Sequence, residues 1–206
     1  AEWLTVSAVT APDGSITHYI GAFSEITKNK EAEAEIHRLA YYDPLTKLPN
    51  RRLLYDRLGQ SLAASSRSGH YGAILFLDLD NFKALNATLG HDVGDQMLIE
   101  VAQRLNGAVR EGDTVARLGG DEFVLLLEDL SEDAREAAIQ AGLIGDKVHE
   151  IIATPYLLRG IEFTCTTSIG VSLFCSHGES VDDLLKHADL AMYQSKNDGR
   201  NRVTCY

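Results

Sequence analysis

"RLGGDEFVLLLEDL", Arg117 to Leu130, sets two glycines and two carboxylates directly ahead of an apolar run. Gly119-Gly120 suits the left-handed dihedrals of a two-residue hairpin loop, and polar residues commonly flank such turns. A bare turn accounts for the glycines. The sharper reading of the adjacent negative charges, at the mouth of a buried strand, is a metal site.

A second stretch, "AILFLDLDNFKALN" from Ala73 to Asn86, has the same character. Its apolar run, Ala73 to Leu77, breaks into Asp78 and Asp80, as a strand buried on both faces does at its end, where α/β proteins collect ligands. Asp80 or Asn81 reads equally well as the cap of the next helix. Asp78 is different, because a carboxylate after an unbroken apolar run carries a large desolvation cost unless it is paired, exposed or metal-bound. With Asp78 at one strand end and Asp121 beside the neighbouring turn, two carboxylates can share one Mg²⁺ or a pair. Mg²⁺ takes oxygen ligands and completes its octahedron with water and substrate phosphate. In a regular strand, Asp121 and Glu122 point to opposite faces.

Composition narrows the context. A chain of 206 residues with 45% hydrophobic content holds one full domain plus a smaller piece. Its net charge of −11 argues against a nucleic-acid surface, which needs lysine and arginine against phosphate. Cys165, Cys175 and Cys205 are an odd count without C-x-x-C spacing, which points to a reducing cytoplasm rather than a disulfide or zinc framework. No apolar run approaches the roughly 18 residues of a membrane span, and the first residues lack signal-peptide order. The histidines, His177 among them, form no HExxH pattern, and neither G-x-S-x-G nor a Walker phosphate loop occurs.

Along the chain, Trp3 to Thr10 and Thr17 to Ser24 read as strands joined by a Pro-Asp-Gly turn. Lys28 to Tyr41 reads as a charged helical linker, with Ile26, Glu33, Ile36 and Ala40 on one stripe. The "AASSRSGHYG" segment from Ala63 reads as a surface loop. Helices are expected over Pro49–Ala64, Phe82–Leu89, Asp95–Val109, Asp133–Ala153 and Val181–Asn197. Strands are expected over Ala73–Asp78, on both sides of Gly119-Gly120, and around Ile161 to Phe174. This alternation implies an α/β sandwich whose sheet is covered by helices. The expected organisation is strands in 1–25, a linker in 26–42 and the main domain in 43–206.

Four blocks in order, "DPLTKLPNRRLLYDRL", "FLDLDNFKALNATLGHDVGD", "RLGGDEF" and "ADLAMYQSKNDGRN", resemble the GGDEF-domain diguanylate cyclases over about Asp43 to Val203. The strands ending in "SEIT" are similar to the close of a PAS sensor domain. The GGDEF resemblance implies a palm-like α/β fold related to nucleotide cyclases, with a mostly antiparallel sheet, and condensation of two GTP into cyclic di-GMP across a transient homodimer. It implies that Asp78, Asp121 and the Leu79 carbonyl hold Mg²⁺ or Mn²⁺, with Glu122 near the reacting groups. Gly119 and Gly120 would admit the nucleotide. The amides of Asn81, Phe82 and Lys83 would receive phosphate at a helix start. Lys196 and Arg200, four apart and on one face if the last helix reaches that far, read alone as solvated cations, and the resemblance assigns them to the GTP phosphates. Asn86 and Asp95 would recognise guanine, although alone they read as an exposed helix position and an N-cap. Arg110 and Asp113 of "REGD" resemble an inhibitory cyclic di-GMP site. A non-catalytic GTP-binding regulatory or interaction module is the alternative.

Overall fold

The computed structural model describes residues 2–25, 27–175 and 178–206, so that Ile26 of the expected stripe and His177 lie outside the described residues. The chain forms two compact units, Ala1–Ala40 and Tyr41–Tyr206. In the first, β1 (Glu2–Thr10) and β2 (Ile16–Glu25) pair antiparallel, and α1 (Thr27–Tyr41) follows. The turn closes where Gly14 N–H donates to Ala11 O at 2.9 Å, with Gly14 at φ 85°. The Pro-Asp-Gly signal therefore lies where the turn forms.

In the second unit the chain runs α2 (Arg51–Ser68), β3 (Gly72–Leu79), α3 (Phe82–Leu89), α4 (His91–Ala108), β4 (Thr114–Gly119), β5 (Glu122–Leu127), α5 (Ala134–Ala153), β6 (Tyr156–Leu158), β7 (Ile161–Phe163), β8 (Thr167–Phe174), α6 (Val181–Asn197) and β9 (Arg202–Cys205). Five strands form one sheet in the order β4-β5-β3-β8-β9. All neighbours are antiparallel except β8 and β9, which are parallel. This is the helix-covered, mostly antiparallel α/β sheet expected from the sequence. Among the described residues no helix is long and apolar enough to cross a membrane.

Strand β3 lies at the centre and is buried along its whole length. Its side chains alternate between two cores. Ala73, Leu75, Leu77 and Leu79 pack with Phe82, Met97, Val101 and Val148 from α3, α4 and α5. Ile74 and Phe76 pack with Leu54 and Leu58 of α2 and with Leu184 and Ala188 of α6. Each large side chain so buried contributes about 1.5–3 kcal/mol of transfer free energy. The carboxylates after Leu77 are therefore delivered from a rigid element.

Several boundaries differ from the expectation. Helix α2 runs on to Ser68 through most of the supposed Ser/Gly loop, because Ser61 and Ser65 are buried and the Ser65 hydroxyl donates to His70 O at 2.5 Å. Gly69, left-handed at φ 82°, ends it. Helix α4 begins at His91, four residues before Asp95. The stretch before β8 holds the β6–β7 hairpin, turned by Arg159 and Gly160 at φ 50° and 80°. Two positive φ values in a two-residue loop suit the strand twist, but arginine is an unusual residue at such a position. The parallel edge strand β9 was not foreseen.

Gly170 marks the tightest helix–sheet approach: a Cβ there would lie 2.1 Å from Ala188 O and 2.2 Å from Met192 N on α6. The obstruction is backbone, which cannot swing aside. Gly170→Ala should therefore cost about 3 kcal/mol, read as a lower urea midpoint at unchanged slope. A midpoint equal to wild type would contradict the close approach of α6 to β8.

Candidate active site

The β3–β5 register sets Asp78 directly opposite Glu122, and cross-strand partners project to the same face. That face is the one covered by α2 and α6, where Phe76 and Val124 also lie. From α6, Lys196 Nζ reaches to 2.7 Å from Asp78 Oδ2, with only 11% of the Asp78 side chain exposed. Burial pushes the Asp78 carboxyl above its ordinary range; the Lys196 bond opposes this, while Asp121 and Asp80 add to it. Glu122 is also raised, first by burial and then by Asp78 and Asp189, with Arg51 opposing. Two neighbouring carboxyls thus ionise less readily than free ones, and added positive charge would favour their ionised forms.

Asp121 lies in the turn rather than in β5, so strand alternation stops short of it. Its backbone oxygen accepts from Leu79 N–H at 3.3 Å, tying the turn to the end of β3. The turn sits one residue later than the glycine pair implied: Gly119 closes β4 opposite Glu122, leaving Gly120 and Asp121 as the loop. Gly119 and Gly120 have φ of 142° and 52°, and nothing lies within 4 Å of a Cβ at either position. Backbone conformation, not crowding, requires them, and the space beside them is open.

Arg117 holds this turn and carries a role that the sequence did not disclose. Its Nε and Nη2 donate to Gly120 O at 3.2 and 2.8 Å, and its Nη1 donates to Asp43 Oδ1 at 2.9 Å. Asp43 also accepts from Thr46 N and Oγ1, both at 2.7 Å. Burial alone would raise the Asp43 carboxyl, but the bonds from Thr46 and Arg117 outweigh it and hold it below the usual range.

Asp80 serves neither as a helix cap nor as a neighbour left without bonds. It accepts from Thr166 Oγ1 at 2.7 Å, Ser168 Oγ at 2.8 Å and Asn201 N at 3.1 Å, joining β3 to β8 and to the segment before β9. Asn81 precedes α3 in the left-handed region at φ 60° with no side-chain capping bond. Phe82 is buried in the core and Lys83 is exposed.

Asn86 is half-buried on α3, against Gly94 of α4, and Asp95 follows on the exposed side of the same helix. Asp95 is therefore an internal helix residue and no N-cap. Lys196 and Arg200 do not share a helix face. Helix α6 stops at Asn197, and Arg200 sits in the following loop at φ 64°, its N–H bonded to Ser195 O at 2.9 Å. The chain needs that tight reversal to bring β9 alongside β8.

Arg110 and Asp113 lie at the other end of the β4–β5 hairpin. Arg110 Nε is 3.3 Å from Asp113 Oδ1, and its guanidinium also donates to Glu128 O and Asp129 O. The Asp113 side chain is 2% exposed and ties the loop together, whereas that of Arg110 is 56% exposed and stands at the surface. Both line an open cavity of about 650 Å³ with His70 and Lys147.

The donor set near Asp78 suits a hard divalent cation. The Asp78 and Glu122 carboxylates offer oxygen ligands, with Lys196 Nζ on Asp78, and among the described residues no group of three or more His, Cys, Asp or Glu side chains forms a metal cage. Mg²⁺ is typically held by one or two carboxylates with substrate phosphates completing its shell. The raised carboxyls of Asp78 and Glu122 are the electrostatic counterpart of that requirement.

Comparison with known proteins agrees with this geometry. The family described as "Diguanylate cyclase, GGDEF domain" matches residues 40–202. The chain is 46% identical over 175 residues to the bifunctional diguanylate cyclase/cyclic di-GMP phosphodiesterase MucR of Pseudomonas aeruginosa, covering 85% of this chain and 25% of MucR. It is 38% identical over 172 residues to the diguanylate cyclase TpbB of the same species, covering 83% of this chain and 38% of TpbB. The chain thus spans well under half of these relatives. Among solved structures, the GGDEF domain of TpbB aligns with a TM-score of 0.75 at 37% identity, covering 80% of this chain and 94% of that one. The coiled coil and GGDEF domain of DgcB from Caulobacter crescentus, in complex with c-di-GMP, aligns with a TM-score of 0.77 at 29% identity, covering 88% and 93%. With a matching family across most of its length and the same fold around the Gly-Gly turn, the chain belongs to the GGDEF-domain family of diguanylate cyclases.

Proposed function

We propose that this protein condenses two GTP molecules into cyclic di-GMP, releasing pyrophosphate, with one GTP held by each of two facing subunits. The observation that carries this reading is the cross-strand pair Asp78 and Glu122, both raised, with Asp121 and Lys196 beside them. Asp78 and Asp121, with the Leu79 carbonyl, would hold Mg²⁺ or Mn²⁺, which when bound acidifies the attacking 3′-hydroxyl and neutralises charge on the phosphates. Lys196 and Arg200, with the amides of Asn81, Phe82 and Lys83 at the start of α3, orient the triphosphate. Gly119 and Gly120 let it approach the backbone. Asn86 and Asp95 select guanine, Glu122 stands near the attacking hydroxyl, and Arg110 with Asp113 receives product as an inhibitor. Holding both reactants in register is the main contribution of the protein itself. We place this chemistry in the cytoplasm, with residues 1–25 as the closing strands of a PAS-like sensor, 26–42 as its linker and 43–206 as the cyclase domain.

A second reading, a GTP-binding regulatory module, is favoured by one relative. The cyclic di-GMP phosphodiesterase NbdA of Pseudomonas aeruginosa is 41% identical over 172 residues. Turnover separates the two readings. Asp121→Asn should lower cyclic di-GMP formation by about a hundredfold or more while leaving the thermal midpoint within a few degrees of wild type. Chromatography of the products gives the rate, and near-normal turnover in the folded variant would remove Asp121 from the mechanism.

The raised carboxyls also fix a pH dependence. A carboxyl whose folded pKa lies above its unfolded value disfavours the folded state once ionised, so this penalty grows as pH rises from the ordinary carboxylate range through the folded value. A divalent cation binds the ionised form and removes the penalty. Millimolar Mg²⁺ should therefore raise the melting temperature at pH 7.5, and the gain should shrink toward zero as the solution is acidified toward the ordinary carboxylate range. An equal gain at both ends of a melting series would show that Mg²⁺ acts elsewhere.

Two facing subunits imply a concentration dependence. A tether raises the encounter probability of weakly associating domains through effective concentration. Specific activity at saturating GTP should rise with protein concentration, and deletion of residues 1–41 should steepen the rise. Constant specific activity where sedimentation shows only monomer would refute the two-subunit mechanism.

A further inference from the structure

Gly94 stands inside α4 and is buried, without a positive φ or a turn to require glycine. Helix interiors favour almost any other residue over glycine, alanine most of all. The neighbouring space accounts for it. A Cβ on Gly94 would lie 1.9 Å from Asn86 Oδ1 and 3.0 Å from Asn86 Cγ, with Phe82 Cζ at 3.1 Å. The Asn86 amide therefore occupies the volume that any side chain at position 94 would fill.

That amide is also incomplete within the protein. Asn86 Oδ1 is buried and has no hydrogen-bond partner, whereas buried polar atoms are ordinarily paired. With that oxygen enclosed against Gly94, the half-buried Asn86 presents its NH2 donor, next to the acceptor carboxylate of exposed Asp95. Guanine carries its O6 acceptor beside its N1–H and 2-amino donors and so matches a donor next to an acceptor, whereas adenine has a donor amine at C6 and lacks both of those donors.

We infer that Gly94 is a positioning residue for purine selection: its missing side chain lets the Asn86 oxygen seat against α4, which fixes the amide with its NH2 turned toward a guanine acceptor. The inference rests on the reading above in which Asn86 and Asp95 select guanine. It adds a residue that touches no ligand and acts only through Asn86. The contrast with Gly170 is physical. There an added methyl meets backbone, whereas at Gly94 it meets the far end of a side chain, which can rotate away. The helix tolerates alanine at position 94, and the amide does not.

The test uses the full chain, Mg²⁺ and 3′-deoxy-GTP, which cannot form the phosphodiester, with 3′-deoxy-ATP for comparison. Calorimetry should show Gly94→Ala weakening 3′-deoxy-GTP binding by tenfold or more and collapsing its preference over 3′-deoxy-ATP, at a melting temperature equal to or above wild type. Asn86→Ala should do the same, and the double variant should bind no worse than Asn86→Ala alone, because the methyl then has nothing left to displace. Wild-type binding by Gly94→Ala alongside weakened binding by Asn86→Ala overturns the inference and leaves the guanine reading standing. Unchanged binding by Asn86→Ala overturns the guanine reading itself. Losses that add in the double variant, or a Gly94→Ala protein that fails to fold, overturn the inference, since it requires the side chain and not the helix to yield.

Discussion

Strand β3 is covered on both faces, so the carboxylates that end it are carried out of water by the packing of everything before them. A buried carboxylate is tolerated only when bonds or charges compensate for lost hydration. The protein compensates Asp78 and Asp80 in different ways. Asp80 accepts hydrogen bonds from two hydroxyls and a backbone N–H, and so fastens β8 and the approach to β9 to the end of β3. Asp78 has one cation, Lys196, and a carboxylate, Glu122, opposite it on the same face. One acid is consumed by the fold and the other is left electrostatically underpaid.

The turn that brings Asp121 to this place depends on Arg117. Its guanidinium is planar and forked, so it bonds the Gly120 carbonyl and the Asp43 carboxylate at once, which a lysine ammonium could not reproduce. Buried ion pairs add little net stability, because desolvation offsets most of the Coulomb gain. Its consequence here is positional. The signs of the coupled ionisations reinforce that division. Asp43 is held below its ordinary range, so its stabilisation is present above that range and is lost as pH falls through its folded value. Asp78 and Glu122 are shifted the other way and gain from acid. Acidification thus relaxes the site's charge while releasing the bond that shapes its turn.

Much of this was legible in the sequence where one residue type has one dominant physical use. The apolar run into Asp78 gave β3 and its charged end, and the helix expected over Asp95–Val109 forms most of α4. The Ser180 start of α6 completes a capping box with Asp183, and that helix has its expected bounds. Legibility failed where residues served tertiary partners. Ser65 reads as loop because serine is common in loops, yet it is buried in α2. Asp43 and Arg117 lie far apart in sequence, and neither shows a local pattern that announces a bond. Arg200 shares a face with Lys196 only if α6 reaches it, and spacing cannot foresee that left-handed residues reverse the chain for a parallel edge strand.

The Lys196–Asp78 contact bears on the proposed chemistry in a specific way. On that reading the two side chains have separate duties, Asp78 toward a divalent cation and Lys196 toward a triphosphate. In the free protein they neutralise each other at 2.7 Å. Removing one partner of a buried pair strands the other charge, which is the costly outcome. A metal ion alone would take Asp78 and leave Lys196, whose side chain is 28% exposed, to water; a metal-free nucleotide would take Lys196 and leave the more buried Asp78 beside Glu122 with no cation. A nucleotide carrying its metal supplies both replacements, so each group exchanges one opposite charge for another and neither is stranded. The same contact that makes the empty site tolerable therefore favours the metal–nucleotide complex over either component by itself, without any residue dedicated to that choice.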